Sequence, residues 1–140
     1  MRAVLDSAVL VAALRSNLGA SRQLLNAALD RRFTLLLSVP LVIEYEAVLT
    51  RPEHLKAAGL NVAEVVVILD SLVAVAESVR FSFLWRPRVT DPDDDMVLET
   101  AVNGMADMLV TFNLKHFAQA ARAFRLVVLP PGQALQQIER

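Results

Sequence analysis

Residues 90–98 of the chain read Thr-Asp-Pro-Asp-Asp-Asp-Met-Val-Leu and place four carboxylates within five positions. Asp91 is typical of a helix N-cap and Pro92 of the first helical position, and carboxylates in a first turn are stabilised by the helix dipole. The segment therefore predicts the start of a helix. Capping and the dipole account for Asp91 and Asp93, but they account less well for the two aspartates that follow.

The predicted helix carries an apolar stripe, and Asp94 and Asp95 lie at its N-terminal end. The stripe is formed at helical spacing by Leu98, Ala101, Val102 and Met105. Asp95 and Asp94 precede Leu98 by three and four residues, so both are near the face of the helix that carries the stripe. A carboxylate that faces the interior is costly unless a cation or hydrogen-bond donors meet it. At least one of the two aspartates is therefore a candidate functional acid.

The composition predicts one domain over residues 1–140. The chain has 55% hydrophobic residues and a net charge of −1, and its excess of apolar residues predicts a surface buried against another chain. The absence of cysteine excludes disulfides and thiolate metal sites and is consistent with a cytoplasmic location. The N-terminus has no signal-peptide layout, and the most apolar segment, Val62–Ala76, is too short to span a bilayer. We therefore expect a cytoplasmic protein that does not enter a membrane.

Apolar runs and helix-boundary residues predict alternating strands and helices. The predicted strands are Arg2–Leu5, Phe33–Leu37, Met108–Thr111 and Leu126–Leu129, with a strand or extended connection at Val79–Phe83 and a loop at Leu84–Thr90. The predicted helices are Ala8–Leu14 (capped by Ser7), about Ser21–Arg31, Leu41–Leu49 (started by Ser38 and Pro40), Glu53–Ala58, Val62 to about Glu77, Pro92–Met105, Leu114 to about Arg122, and a short one after Pro131-Gly132. This alternation predicts a mainly parallel central sheet between two helical layers, an α/β/α sandwich.

Polar residues fall where three of the predicted strands end. Asp6 ends the first strand, Ser38 ends the second, and Thr111-Phe112-Asn113 ends the strand after the acidic helix. Glu44 follows Ser38 on the next helix, at the edge of an apolar stripe. Parallel sheets bind ligands beyond the carboxyl ends of their strands, at a topological switch point. We therefore expect these side chains to meet at one rim.

Several carboxylates on one rim repel one another. Two unit charges about 4 Å apart cost roughly 4 kcal/mol at an effective dielectric of 20. A hard divalent cation removes this cost, and an all-oxygen ligand set favours Mg²⁺ or Mn²⁺. Such an ion polarises a phosphodiester and lowers the pKa of a bound water. A rim that joins Asp6, Glu44 and an acid of the 91–95 segment is thus expected to cleave nucleic acid.

Five blocks of the sequence carry a family resemblance over nearly the whole chain. They are Val4-Leu5-Asp6-Ser7, Ser38-Val39-Pro40-Leu41-Val42-Ile43-Glu44-Tyr45, Arg51-Pro52, Asp91-Pro92-Asp93-Asp94-Asp95 and Ala106-Asp107-Met108-Leu109-Val110-Thr111. In order and spacing they resemble PIN-domain proteins, most closely the VapC-type toxins of bacterial toxin–antitoxin pairs. The resemblance implies a PIN-like sandwich and a Mg²⁺- or Mn²⁺-dependent ribonuclease that acts on RNA and is inhibited by a cognate antitoxin. With the apolar excess, it leads us to expect a homodimer or higher homo-oligomer.

The resemblance implies that Asp6, Glu44 and Asp95 are the catalytic, metal-binding acids. Helical phase admits Asp94 as well, and the spacing to Thr111 favours Asp95. Three further residues are expected to support the ligands: Ser7, Thr111 and Asp94.

The sequence departs from the family pattern at two places. Asn113 stands where a fourth acid is common, and Ala8 stands where an asparagine is frequent. The carbonyl of Asn113 can still ligate a metal or position a water, so Asn113 is predicted to complete the catalytic site. Because it brings no charge, a second metal is expected to bind more weakly.

Two alternatives stay open. A catalytically weak PIN-like protein-interaction module would explain the departures at Asn113 and Ala8. A phosphoacceptor receiver domain also gathers acids at strand ends, but it would require paired acids after the first strand and a lysine at the end of a late strand. This chain has the single Asp6 and no lysine near Leu129.

Overall fold

Strands and helices alternate in the computed structural model, which describes residues 1–81 and 92–140, the side chains of residues 92–95 excepted. The strands are β1 (Arg2–Leu5), β2 (Thr34–Leu37), β3 (Glu77–Ser78), β4 (Met108–Val110) and β5 (Val127–Leu129). The helices are α1 (Ser7–Arg15), α2 (Ala20–Leu29), α3 (Val39–Leu49), α4 (Pro52–Ala58), α5 (Val62–Val75), α6 (Pro92–Asn103), α7 (Leu114–Phe124) and α8 (Pro131–Glu139). The loop predicted at Leu84–Thr90 and the cap predicted at Asp91 lie outside the described residues.

The sheet is parallel, with the strand order β3-β2-β1-β4-β5. The connections from β1 to β2 to β3 cross the sheet in one direction, and those from β3 to β4 to β5 cross it in the other. Right-handed crossovers therefore place the two groups of helices on opposite faces. In agreement, α1, α2, α5 and α8 pack in one connected group, α6 packs on α7, and α3 contacts both groups. The predicted α/β/α sandwich is confirmed.

The switch point of this sheet lies between β1 and β4. The chain leaves β1 towards β2 and β3, then returns to form β4 on the other side of β1. A receiver domain has the strand order 2-1-3-4-5, in which the third strand rather than the fourth adjoins the first. The receiver alternative is therefore wrong.

The connection after α5 differs from its prediction. The helix ends at Val75 rather than near Glu77, because Ala76 is extended with φ −79° and ψ 157°. Strand β3 then pairs with β2 through Leu36–Glu77 and Leu37–Ser78. Of the two alternatives predicted at Val79–Phe83, a strand or an extended connection, the strand does not occur within the described residues 79–81; the strand lies just before them. Pairing with β2, rather than side-chain pattern, fixes this strand.

The predicted N-cap is found for α3 but not for α1. Ser38 is the N-cap of α3, and its hydroxyl accepts a hydrogen bond from the Leu41 amide at 3.3 Å, as the predicted start requires. Helix α1 begins one residue earlier than predicted, at Ser7, so Ser7 is not its cap. Asp6 occupies the N-cap position instead.

The amino ends of the strands are tied together by Arg2. Its amide donates to Asp107 Oδ2 at 2.8 Å, and its guanidinium donates to both carboxylate oxygens of Glu77 and to the carbonyl of Gly104. These bonds join β1, β3 and the turn before β4. The predicted site is at the opposite edge of the sheet, where the strands have their carboxyl ends.

Among the described residues, no single helix is long and apolar enough to cross a bilayer. Helices α4 and α5 meet the length and composition criteria only as a pair bent by 84°. In α5, Val65, Leu69 and Leu72 are buried in the core.

Candidate metal centre at the carboxyl edge of the sheet

The carboxyl ends of β1 and β4 bring Asp6 and Thr111 together at the switch point. The amide of Asp6 donates to the carbonyl of Val110 at 2.9 Å, so the residue after β1 continues the pairing with β4. The amide of Thr111 donates to the carbonyl of Leu129 at 3.0 Å and continues the pairing with β5. The backbone thus fixes both residues before their side chains interact.

The Asp6 side chain is buried and bound by Thr111. Asp6 is only 6% exposed, and the Thr111 hydroxyl donates to its Oδ2 atom at 2.7 Å. Although Asp6 holds the N-cap position of α1, its carboxylate makes no capping hydrogen bond to that helix within the described chain. The structure therefore gives Asp6 a partner across the rim in place of the ordinary capping role.

Thr111 also holds the segment that carries Asn113. Its hydroxyl oxygen accepts a hydrogen bond from the Asn113 amide at 3.0 Å. Asn113 is exposed and precedes α7, but within the described residues its side chain does not cap that helix. One hydroxyl thus orients the buried carboxylate and the backbone of the exposed amide residue at the same edge.

Helix α3 is anchored to the end of β1 by Tyr45. The buried Tyr45 hydroxyl donates to the carbonyl of Leu5, the residue before Asp6. Burial, and then the negative charge of Asp6, raise the pKa of Tyr45 well above its ordinary value. Glu44, the neighbour of Tyr45 on α3, is half-buried. This anchor holds the helix that carries Glu44 against the end of β1, and the approach of the Glu44 carboxylate to Asp6 stays a prediction.

The remaining predicted residues lie on α1 and α6. Ser7 is buried in the first turn of α1, directly after Asp6. Asp94 and Asp95 belong to the first turn of α6, and their side chains lie outside the described part of the structure. The assignment of the third acid to Asp95 or Asp94 stays a prediction.

Glu99 is a buried acid that the sequence interpretation did not single out. It is 6% exposed, on a stretch of α6 in which residues 97–101 are all buried. It follows Asp95 by four residues and therefore shares its side of the helix. The available signal was a glutamate three residues before Val102, at the edge of the apolar stripe of the helix.

The donor chemistry at this edge suits a hard divalent cation. Asp6 and Asn113, which Thr111 connects, carry oxygen donors, and so does the predicted ligand Glu44; such donors favour Mg²⁺ or Mn²⁺ over softer ions. Among the described residues, no group of three His, Cys, Asp or Glu side chains could hold a metal. The side chains of Asp94 and Asp95 do not belong to the described part of the structure. The three-carboxylate ligand set therefore stays a prediction.

An apolar groove of about 220 Å³ adjoins the rim at Ser38. Its walls come from β2, α3, the end of α5 and β3, and include Leu37, Val39, Val42, Ile43, Val73 and Ala76. Val39 is 71% exposed and Ile43 is 62% exposed. Large apolar side chains are thus presented to solvent beside the candidate metal centre.

Comparison with known proteins gives a family and a fold. A family model described as "PIN domain" matches residues 2–115. No curated protein sequence matches the chain. Among solved structures, the chain is similar to that of VapBC2 from Rickettsia felis bound to a DNA fragment from their promoter, with a TM-score of 0.61 and 18% identity. The alignment covers 91% of this chain and 97% of the other, and at this identity the similarity concerns the fold.

Proposed function

Because this chain belongs to the PIN domain family, we propose that it is a metal-dependent endoribonuclease and the toxin of a toxin–antitoxin pair. The observation that carries the proposal is the hydrogen bond from Thr111 to the buried carboxylate of Asp6. This bond lies at the switch point of the sheet, where parallel α/β proteins place their ligands. A hydroxyl that orients a carboxylate is also a common partner of a metal ligand.

Three acids hold the metal in this proposal. Asp6, Glu44 and Asp95 bind Mg²⁺ or Mn²⁺, and Asp94 is the alternative to Asp95. When bound, the ion supplies positive charge to the phosphodiester and lowers the pKa of a water.

The chain's own residues orient this set. Thr111 fixes one oxygen of Asp6 and, through the Asn113 amide, the start of the segment that leads into α7. The exposed Asn113 side chain accepts a hydrogen bond from the attacking water or donates one to a phosphate oxygen. Tyr45, whose pKa is raised above the ordinary value of 10.0, is protonated at neutral pH and keeps its bond to the carbonyl before Asp6. Ser7 contributes a second hydroxyl next to Asp6.

The apolar groove beside Ser38 is the proposed antitoxin site. Its exposed Val39 and Ile43 suit an apolar segment of a partner chain, which would cover the rim from one side. The similar VapBC2 fold supports this choice of partner. Val62 and Val67 of α5 are also exposed, and we assign these apolar side chains to contacts in a homodimer. An RNA substrate and a sequence without cysteine favour the cytoplasm.

The second candidate function is a catalytically weak interaction module. It is favoured by Asn113, which replaces a charged ligand with a neutral one. The two candidates make different predictions for metal binding, since only the nuclease requires it.

RNA cleavage and Mn²⁺ titration calorimetry test the proposal. The chain should cleave RNA with Mg²⁺ or Mn²⁺, lose this activity in EDTA, and bind Mn²⁺ in the absence of RNA. Asp6→Asn should abolish cleavage and strongly weaken Mn²⁺ binding. Asp30→Asn, at the exposed end of α2, is the matched control and should behave as the unsubstituted chain. Cleavage that survives both EDTA and Asp6→Asn contradicts the mechanism, and absent Mn²⁺ binding at millimolar metal favours the interaction module.

A further inference from the structure

Two buried hydroxyls connect the helix that carries Glu44 to the acidic helix. The Ser38 Oγ and Thr100 Oγ1 atoms lie 2.7 Å apart, and both residues are almost fully buried. Ser38 is the N-cap of α3, and Thr100 lies in the middle of α6. The contact joins segments 62 residues apart in the sequence.

The hydrogen bonds around this pair run in one direction. The Leu41 amide donates to Ser38 Oγ at 3.3 Å, and Thr100 Oγ1 donates to the carbonyl of Met96 at 2.7 Å. With the Thr100 proton directed to Met96, Ser38 donates to Thr100. This series of hydrogen bonds thus begins at the first turn of α3 and ends at the carbonyl of Met96, the residue after Asp95. Each hydroxyl in it donates one bond and accepts another.

We propose that Ser38 and Thr100 are positioning residues that set the separation between Glu44 and the acids at the start of α6. The proposal rests on the proposed metal-dependent nuclease. Glu44 and the acids of α6 belong to helices that reach the rim from different connections of the sheet. A direct bond between these helices fixes the separation of their carboxylates, on which a shared metal depends. Partners of this kind, one step removed from a metal, alter its affinity when they are lost.

The approach of α6 to the sheet supports the same conclusion. A Cβ atom on Gly104, at the end of this helix, would lie 2.9 Å from the carbonyl oxygen of Thr100, and also 2.9 Å from side-chain atoms of Leu36 and Val79. The helix therefore packs on β2 without room for a methyl group. Close packing at one end and a hydrogen bond in the middle leave α6 little freedom to shift.

A purely structural role for the pair predicts a different result. An isosteric replacement of a buried hydroxyl alters stability, but it leaves metal affinity unchanged in protein that remains folded. A positioning role predicts weaker metal binding in the folded protein. Metal affinity, measured well below the unfolding temperature, therefore separates the two roles.

The test is Mn²⁺ titration calorimetry on the full chain, with circular dichroism to verify folding. Thr100→Val should lower the Mn²⁺ affinity by about tenfold. Thr100→Ser keeps the hydroxyl and should restore the affinity of the unsubstituted chain. Thr50→Val is the matched control, because the Thr50 hydroxyl makes the same bond to a carbonyl four residues back, that of Glu46, outside the rim. Ser38→Ala removes the other hydroxyl of the same hydrogen-bond series, and it replaces Thr100→Val in the test if Thr100→Val does not fold.

The outcomes separate this inference from the function on which it rests. If the unsubstituted chain binds no Mn²⁺, the proposed function and the positioning role both fail. If it binds Mn²⁺ and folded Thr100→Val, or Ser38→Ala in its place, binds equally well, the positioning role alone is overturned. Equal losses in Thr100→Val and Thr50→Val overturn it as well. Weaker binding in Thr100→Val, with recovery in Thr100→Ser, supports it.

Discussion

The buried hydroxyl of Tyr45 on α3 donates a hydrogen bond to the carbonyl of Leu5, the last residue of β1. This bond reaches the backbone one residue before Asp6 and connects the helix of Glu44 to the strand of Asp6. The candidate metal centre therefore depends on contacts between elements as well as on its carboxylates. The same dependence appears in the bonds of Thr111 and Thr100, so each can be tested by removing one hydroxyl.

Tyr45→Phe should lower the free energy of unfolding by about 1–3 kcal/mol, because it leaves the buried carbonyl of Leu5 without its donor. Urea unfolding at neutral pH measures this loss. The difference between the two proteins should be fully present below pH 10.0, the ordinary pKa of tyrosine. It should shrink as the pH rises through the higher pKa of the folded state, where the buried phenol ionises. A difference that grows at alkaline pH contradicts this account.

Thr111→Val should weaken Mn²⁺ binding by about tenfold and reduce RNA cleavage, because Asp6 loses the hydroxyl that orients it. The residue is buried and valine has nearly the same shape, so the fold should persist. Titration calorimetry and a cleavage assay measure the two effects. Thr34→Val, at the opposite edge of the sheet on β2, is the control and should change neither. Unchanged metal affinity in Thr111→Val would show that Asp6 needs no support from this hydroxyl.

The sheet, and the edge at which Asp6 meets Thr111, could be predicted from sequence because the strands are short apolar runs. Ala3-Val4-Leu5 and Leu35-Leu36-Leu37 are buried, and each run ends in a polar residue, Asp6 or Ser38. A polar residue after a buried parallel strand can lie only at the carboxyl edge of the sheet. The order of apolar runs and the polar residues that follow them therefore predicts the location of the rim.

The contacts between elements could not be predicted in the same way. Strand β3 consists of two exposed residues, and it is held by pairing with β2 rather than by an apolar pattern. The Ser38–Thr100 bond depends on how closely α6 approaches β2, which Gly104 permits and local sequence does not encode. Glu99 was overlooked because a single glutamate in a helix is most often exposed. Tertiary packing decides all three.

The ion pair between Arg2 and Glu77 should make stability depend on pH at the amino edge of the sheet. The hydrogen bond from Arg2 lowers the pKa of the Glu77 carboxyl below its ordinary value of 4.5. A lowered pKa in the folded state means that the pair stabilises the protein above pH 4.5 and that this contribution is lost as the pH falls through the folded pKa. Glu77→Gln should therefore lower the melting temperature slightly at pH 7.

Thermal unfolding of Glu77→Gln and the unsubstituted chain between pH 3 and pH 7 checks this dependence. The two melting temperatures should converge at the acidic end of the range. Glu46→Gln, which replaces an exposed glutamate of α3 outside this ion pair, is the control for the loss of one carboxylate. A constant difference for Glu77→Gln over the whole range contradicts the role of the charge.

Gly104→Ala should destabilise the fold by about 1–3 kcal/mol, because the added methyl group meets three neighbours at 2.9 Å. One of these neighbours is the backbone carbonyl of Thr100, which cannot move aside as the end of a flexible side chain can. Gly132→Ala, in the first turn of α8, meets nothing within 4 Å and is the matched control. It should be neutral or stabilising by up to about 1 kcal/mol, because alanine loses less backbone entropy than glycine on folding. Urea unfolding of both variants measures the contrast, and equal stabilities would mean that α6 can move away from β2 at little cost.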